Sequence, residues 1–327
     1  MIKIGLIGLD GHQGSVLNTI AGSSELRLAA VSSERKDALD GMRGSKAANP
    51  QTNFYSDWEE VLEKEKLDIL CVCSTNDQHA EQIRAGAERG LHICSEKPLT
   101  TTLEDLEATR KAVAKAGVKL TMLLTMRFTA PYLCAKKIVA AGLIGEVCLA
   151  TAQKSYKLGN RTEWMRCRRT FGGTIPFVGI HAMDLIRWTS GREFVECMAY
   201  HGNTGHPDMR EMEDQASVLL KLDNGGSATT RIDYCRPAAA GTHGDDRLRL
   251  AGAKGGVEVM SNEVTLITES QGLTKPAMPP EQDLFADFVA SIKGEKEHMI
   301  SAEDCFRMTE VTIKARQAAD NGRIVKL

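Results

Sequence analysis

The sequence predicts an α/β fold: a doubly wound parallel sheet over residues 1–124, followed by an α+β domain with a largely antiparallel, open sheet over residues 125–327. Three features predict it. The chain begins with an apolar run that breaks into closely spaced glycines and then a helical pattern. Short apolar strands then alternate with helices as far as Leu124. Beyond that point strand-like runs follow one another across short turns.

Ile2, Ile4, Leu6 and Ile7 form an apolar run without helical period, the mark of a buried parallel strand. It enters Gly8, Gly11 and Gly14, and residues 15–20 continue as a helix. Strand, glycine turn and helix in that order favour a phosphate ligand. Glycine lets the backbone approach a pyrophosphate, and the helix N-terminus offers N–H donors and partial positive charge. This is the Rossmann context, although the spacing is G-x-x-G-x-x-G, with Asp10 where the usual G-x-G-x-x-G has its middle glycine. A carboxylate beside a pyrophosphate would repel it, so the Asp10 side chain is expected to turn away from the phosphates. Asp10, His12 and Gln13 join the three glycines as cofactor-binding candidates.

Residues 26–31 read as the second strand, ending in Ser32-Ser33-Glu34-Arg35-Lys36. In a dinucleotide fold this strand end meets the adenosine ribose, where an acid selects NAD and an arginine suits the 2′-phosphate of NADP. Ser32, Ser33 and Arg35 favour NADP, and Glu34 keeps NAD as the alternative. Ser56-Asp57-Trp58-Glu59 has capping-box spacing for a helix with Val61 and Leu62 inward. Residues 67–73 form the next strand. It ends in Ser74, Thr75, Asn76 and His79, polar residues at a carboxyl strand end, where such sheets bind ligands. A helix through Ile83 and Ala87 stops at Gly90, and residues 91–94 form a short strand ending in Ser95-Glu96-Lys97-Pro98. A further helix, capped within residues 101–104, runs to Gly117, and residues 118–124 return to the sheet.

In the second part a helix over residues 131–141 precedes strands at 147–154, 196–201, 216–222, 228–234, 247–251, 257–260 and 264–268. Helices at 282–292 and 301–321 are apolar at helical spacing through Phe285, Phe288, Val289, Met308 and Val311, and can pack back on the first domain.

With 42% hydrophobic and 26% charged residues the chain has the composition of a folded globular protein, which excludes disorder. No run is long and apolar enough to cross a bilayer, and a net charge of −2 gives no general attraction to nucleic acid or acidic membranes. The start lacks the layout of a signal peptide, so a cytoplasmic location is expected. Of nine cysteines, Cys71, Cys73, Cys94 and Cys148 sit in apolar runs and read as small buried hydrophobes. No C-x-x-C pair or His/Cys cluster has zinc spacing, and no metal is expected.

Five segments together resemble the Gfo/Idh/MocA oxidoreductases, the sugar and inositol dehydrogenase group, over nearly the whole chain. They are the glycine turn, Ser74-Thr75-Asn76 with His79, Glu96-Lys97-Pro98, Met126-Arg127-Phe128, and Phe171-Gly172-Gly173-Thr174 leading to Gly179-Ile180-His181-Ala182-Met183-Asp184. The resemblance implies hydride transfer between a nicotinamide cofactor, NAD or NADP, and a hydroxyl carbon of a sugar, sugar acid or cyclic polyol. It places Lys97 between substrate and nicotinamide, where an ammonium stabilises a developing alkoxide. Glu96, Pro98 and Arg127 join the cofactor set by the same resemblance.

His181 matches the family's catalytic histidine. Four residues earlier, where many members carry an aspartate, this chain has Phe177. Asp184, at i+3 from His181, is one replacement for that carboxylate. The other readings are NAD-dependent cleavage of a glycosidic bond through transient oxidation, or a nucleotide-binding sensor without chemistry. Arg166 and Arg168, with Trp164 among them, join Lys97, Arg127, Phe177 and His181 as substrate-binding candidates. The arginine cluster suits a carboxylated or phosphorylated sugar, or is a solvated basic loop. A sheet face left uncovered by helices, together with the resemblance, implies a homodimer or homotetramer.

Overall fold

Six short, apolar strands form the centre of the first unit, Met1–Leu123 with Asp283–Arg307, in a computed structural model that describes residues 1–327. They are β1 (Ile2–Ile7), β2 (Leu26–Ser32), β3 (Asn53–Tyr55), β4 (Ile69–Val72), β5 (His92–Ser95) and β6 (Leu120–Met122). All pair in parallel, in the order β3-β2-β1-β4-β5-β6. That order reverses direction between β1 and β4 and so opens the crevice in which doubly wound sheets bind dinucleotides. Helices α1 (Gln13–Ala21), α2 (Lys36–Arg43), α3 (Trp58–Lys64), α4 (His79–Glu88) and α5 (Leu103–Ala116) make the crossovers. Central parallel strands covered on both faces bury most side chains, and β4 is buried at all four positions.

The helix starts follow from their caps. Thr102 accepts the Asp105 N–H at the start of α5, inside the range expected from sequence. The start of α3 differs from expectation by one residue. Asp57, not Ser56, is the cap, because its carboxylate accepts the Glu59 N–H at 3.0 Å.

The second unit, Leu124–Gln282 with Met308–Leu327, holds α6 (Ala130–Ala140), β7 (Val147–Tyr156), α7 (Arg168–Phe171) and α8 (Ile180–Ser190). Then come β8 (Phe194–Gly202), β9 (Gln215–Leu222), β10 (Ser227–Asp233), β11 (Gly244–Gly252), β12 (Gly255–Met260), β13 (Glu263–Thr268) and β14 (Gln271–Thr274). The chain ends with α9 (Leu284–Ile292), which belongs to the first unit, then α10 (Ala302–Asn321) and β15 (Val325–Lys326). The nine-stranded sheet is antiparallel except at the β7–β10 pair.

Its register separates the two faces. One row across the sheet, Leu266, Val257, Leu250, Ala150, Ala228, Leu220 and Cys197, is wholly buried, with α6 and α8 packed on that side. The opposite face exposes Leu149, Leu219, Ile267 and Leu273. Cys148 is exposed rather than buried. The β7–β11 register slips between Leu149 and Val147, which leaves Cys148 as the extra residue of the bulge. The other three cysteines named from sequence, Cys71, Cys73 and Cys94, are buried.

Candidate functional site

In the first unit the glycine turn is shaped by close approach. Gly8 has φ +79°, and a Cβ there would lie 2.3 Å from the Ser74 backbone. A Cβ on Gly11 would meet the Glu96 side chain at the same distance. Only glycine fits either position. Gly14 has nothing within 4 Å of its absent Cβ, and the first turn of α1 contains no acid. The first turn of α1 thus places no carboxylate of its own against an anion, while the His12 N–H at the cap is held by Glu96.

Glu96 is buried against this turn. Its Oε1 accepts the His12 main-chain N–H and lies 2.6 Å from His12 Nδ1, while Oε2 accepts the Lys97 N–H at 3.0 Å and lies 3.7 Å from Lys97 Nζ. Burial alone would raise this carboxyl. The charges of His12 and Lys97 and the hydrogen bonds from His12 outweigh it and hold the group well below the usual carboxylate range. Lys97 itself is 2% exposed at the carboxyl end of β5, and the peptide to Pro98 is cis.

At the end of β2, Ser32 is buried and its Oγ has no hydrogen-bond partner. Ser33 Oγ accepts the Arg35 N–H, and Arg35 Nη2 donates to Leu9 O at 3.0 Å. Asp10 turns toward Arg35, with Oδ1 3.5 Å from Nε. Burial raises the Asp10 carboxyl, and Arg35 opposes that rise. The orphaned Ser32 hydroxyl, the tight turn at Gly8 and the acid-free first turn of α1 fit a dinucleotide.

Beyond β4, the Ser74 hydroxyl donates to Gln82 and Thr75 Oγ1 donates to Asp77 at 2.7 Å; Asn76 is buried beside them. His79 is fully buried, with Nδ1 2.8 Å from Pro98 O and Nε2 2.9 Å from Ser74 O. Both ring nitrogens face main-chain oxygens, so His79 braces the two loops. Burial lowers its pKa, and the two carbonyl contacts oppose that fall.

The remaining candidates belong to the second unit. Arg127 is 1% exposed and grips the Asp184 carboxylate with two prongs, Nε to Oδ2 at 2.9 Å and Nη2 to Oδ1 at 2.5 Å. The pair joins two residues singled out from sequence, Arg127 and Asp184, with one guanidinium N–H on each carboxylate oxygen. His181 is buried in the first turn of α8. Phe177 precedes it in a π-helical turn, Ile175–Gly179, a distortion common at functional sites. Its ring packs 4.8 Å from Phe171 and edge-on to Trp164 at 6.2 Å.

The basic run does not form one anion site. Arg168 pairs with Glu213 at 2.5 Å and Asp320 at 2.8 Å, so its charge is already neutralised. The Arg161 guanidinium lies over the Tyr234 ring at 4.1 Å, and Arg166 sits in the 3₁₀ turn after Glu163. Sequence reasoning missed this acid–base cluster. His201 lies between Glu213 and Asp320, Arg316 donates to Gly172 O, and Glu213 accepts the Thr174 N–H, so the cluster holds the turn that leads to His181. It also missed buried Lys154, paired with Asp246 at 2.7 Å and set over the Tyr156 ring. The signal was present: Lys154 falls in phase with Ala150 and Ala152, on the apolar face of β7. Burial lowers the Lys154 pKa against the pull of Asp246.

Residues 2–124 match the model of the Gfo/Idh/MocA oxidoreductase family, NAD-binding Rossmann fold, and residues 132–258 match its C-terminal domain. A solved Thermotoga maritima structure described only as an oxidoreductase is 36% identical, with a TM-score of 0.92 and full coverage of both chains. The myo-inositol 2-dehydrogenase of Thermotoga maritima is 24% identical over 100% of this chain and 98% of that protein. The uncharacterized oxidoreductase YrbE of Bacillus subtilis is 30% identical over 66% of this chain and 62% of its own length.

Two outcomes test this geometry. Asp184→Asn leaves the Arg127 charge buried without its counter-ion and is expected to cost about 3–5 kcal/mol in urea unfolding, with a smaller loss for the double change R127M/D184L. Equal losses for the two variants would contradict the pairing. Glu96→Gln is expected to lower stability at about pH 7, with the deficit shrinking as pH falls. The wild-type carboxyl contributes above its unfolded value of about 4.3 and loses that contribution as pH drops through its lower folded value. A deficit that stays constant down to about pH 3 would contradict it.

Proposed function

The chain belongs to the Gfo/Idh/MocA oxidoreductase family, and from that premise we propose that it transfers a hydride between NAD(P) and a hydroxyl-bearing carbon of a sugar, sugar acid or cyclic polyol. It is an NAD(P)-dependent oxidoreductase of the CH–OH group. The observation that carries the substrate side is the buried Lys97 ammonium, fixed beside Glu96 at the carboxyl end of β5.

The crevice of the parallel sheet would hold NAD(P), whose nicotinamide would supply or take up the hydride. Gly8, Gly11 and Gly14, with His12 and Gln13, hold the pyrophosphate. Ser32, Ser33 and Arg35 meet the adenosine ribose and favour NADP, and Ser74, Thr75 and Asn76 line the turn after β4. Lys97 stabilises negative charge on the substrate oxygen as the hydroxyl proton leaves, and His181 takes that proton. Trp164, Phe177 and Arg166 contact the substrate.

Phe177 favours a second reading, since an aromatic ring cannot orient an imidazole or accept a proton. Transient oxidation followed by cleavage of a glycosidic bond would then leave the cofactor unchanged overall, whereas a dehydrogenase accumulates reduced cofactor. We also propose a homodimer or homotetramer through the open sheet face that exposes Leu149, Leu219, Ile267 and Leu273.

Lys97→Met is expected to reduce turnover of a sugar or polyol substrate at least about 1,000-fold while changing the Kd for NADPH less than about threefold. Normal turnover in that variant would remove Lys97 from the mechanism. Leu219→Lys is expected to shift the mass measured by light scattering toward the monomer, and an unchanged mass would rule that face out as the interface.

A further inference from the structure

The glycine turn and the end of β2 are linked through one ion pair whose two members make opposite demands on a cofactor. Gly8 N–H donates to Ser32 O at 2.9 Å, which ties the turn to the strand end. Across this tie Arg35 reaches back, with Nη2 on Leu9 O and Nε 3.5 Å from Asp10 Oδ1. Asp10 is the more sheltered partner, its side chain 17% exposed against 46% for Arg35. The loop around the pair carries further acids, Glu34 and Asp37, which raise the Asp10 carboxyl as burial does.

The 2′ position of the adenosine ribose lies at the end of β2 in this fold. The phosphate of NADP adds nearly two negative charges there and needs the guanidinium. In this chain the guanidinium already faces a carboxylate, so a 2′-phosphate must share Arg35 with Asp10 and stand beside a second anion. The 2′-hydroxyl of NAD carries no charge and can donate a hydrogen bond to that same carboxylate. The residue that replaces the middle glycine of the fingerprint thus acts on the far end of the cofactor.

We propose that Asp10 is a specificity-determining residue that competes with the 2′-phosphate for Arg35 and holds the NADP preference of this site in check. The proposal rests on the reading of the first unit as a dinucleotide site. Asp10 works through Arg35, which makes it a positioning residue for cofactor choice, and the ratio of the two affinities is the quantity it controls.

The test is titration of NADPH and NADH, followed by nucleotide fluorescence, against wild type, Asp10→Asn, Arg35→Ala and the double variant. Asp10→Asn is expected to tighten NADPH about three- to tenfold and to leave NADH unchanged or weaker, since the 2′-hydroxyl loses a charged acceptor. Asp10→Ser is expected to do the same, which separates the charge effect from any fault of one substitution. In the Arg35→Ala background removal of the Asp10 charge is expected to change NADPH binding less than about twofold, because the shared partner is gone. The proposal is overturned if the Asp10 variants shift both nucleotides alike, shift neither, or shift NADPH equally without Arg35. Failure of wild type to bind either nucleotide overturns the dinucleotide reading and the proposal together, a result distinct from binding with an unaltered ratio.

Discussion

A single buried carboxylate organises the first unit. Glu96 has no solvent to stabilise its charge, so it draws that stabilisation from three elements at once: the His12 main chain and ring, the Lys97 main chain, and the Lys97 ammonium. The glycine turn has to pass close to it, and Gly11 makes room where any Cβ would collide. Lys97 is held in place by the same charge. The carboxylate therefore couples the shape of the turn after β1 to the position of the cation after β5, although His12 and Glu96 lie 84 residues apart in the chain.

The second unit solves a related problem with different means. Arg127 and Asp184 bury a full ion pair whose two-pronged geometry keeps both charges satisfied. Glu213 and Asp320 are each shared among several partners, with Arg168 and His201 common to both. These pairs leave the region before His181 rigid and polar on one side, while Phe171, Phe177 and Trp164 make it aromatic on the other. A surface of that kind suits a ring that offers hydroxyls at its rim and C–H bonds on its face.

The alternation of strands and helices was legible because parallel strands are apolar throughout and their helices end at glycines such as Gly90 and Gly117. The glycine turn and Glu96-Lys97-Pro98 were legible because backbone approach and strand-end charge leave few residue types to choose from. The three-residue strand β3 was not, since Asn53-Phe54-Tyr55 is too short to show a period. What sequence does not show is tertiary pairing: nothing local announces that Arg127 will grip Asp184, or that the His79 ring will bridge the main chain of two loops. Asp57 against Ser56 was a choice between two good caps one residue apart, which only the path of the chain resolves.

The first unit takes up Asp283–Arg307 only after the intervening 124–282 stretch has been made. The late segment is attached at several points: Asp283 accepts from Thr19, Lys119 donates to Ser291 O, and Thr121 meets His298. On a ribosome the sheet that begins at residue 2 therefore waits for nearly the whole chain before its last helix can dock. A fragment ending near Leu123 would leave the partner surface of α9 on α1 exposed to water. The order in which this protein is synthesised is thus not the order in which its parts are finished, and its oldest strands are among the last to be sealed.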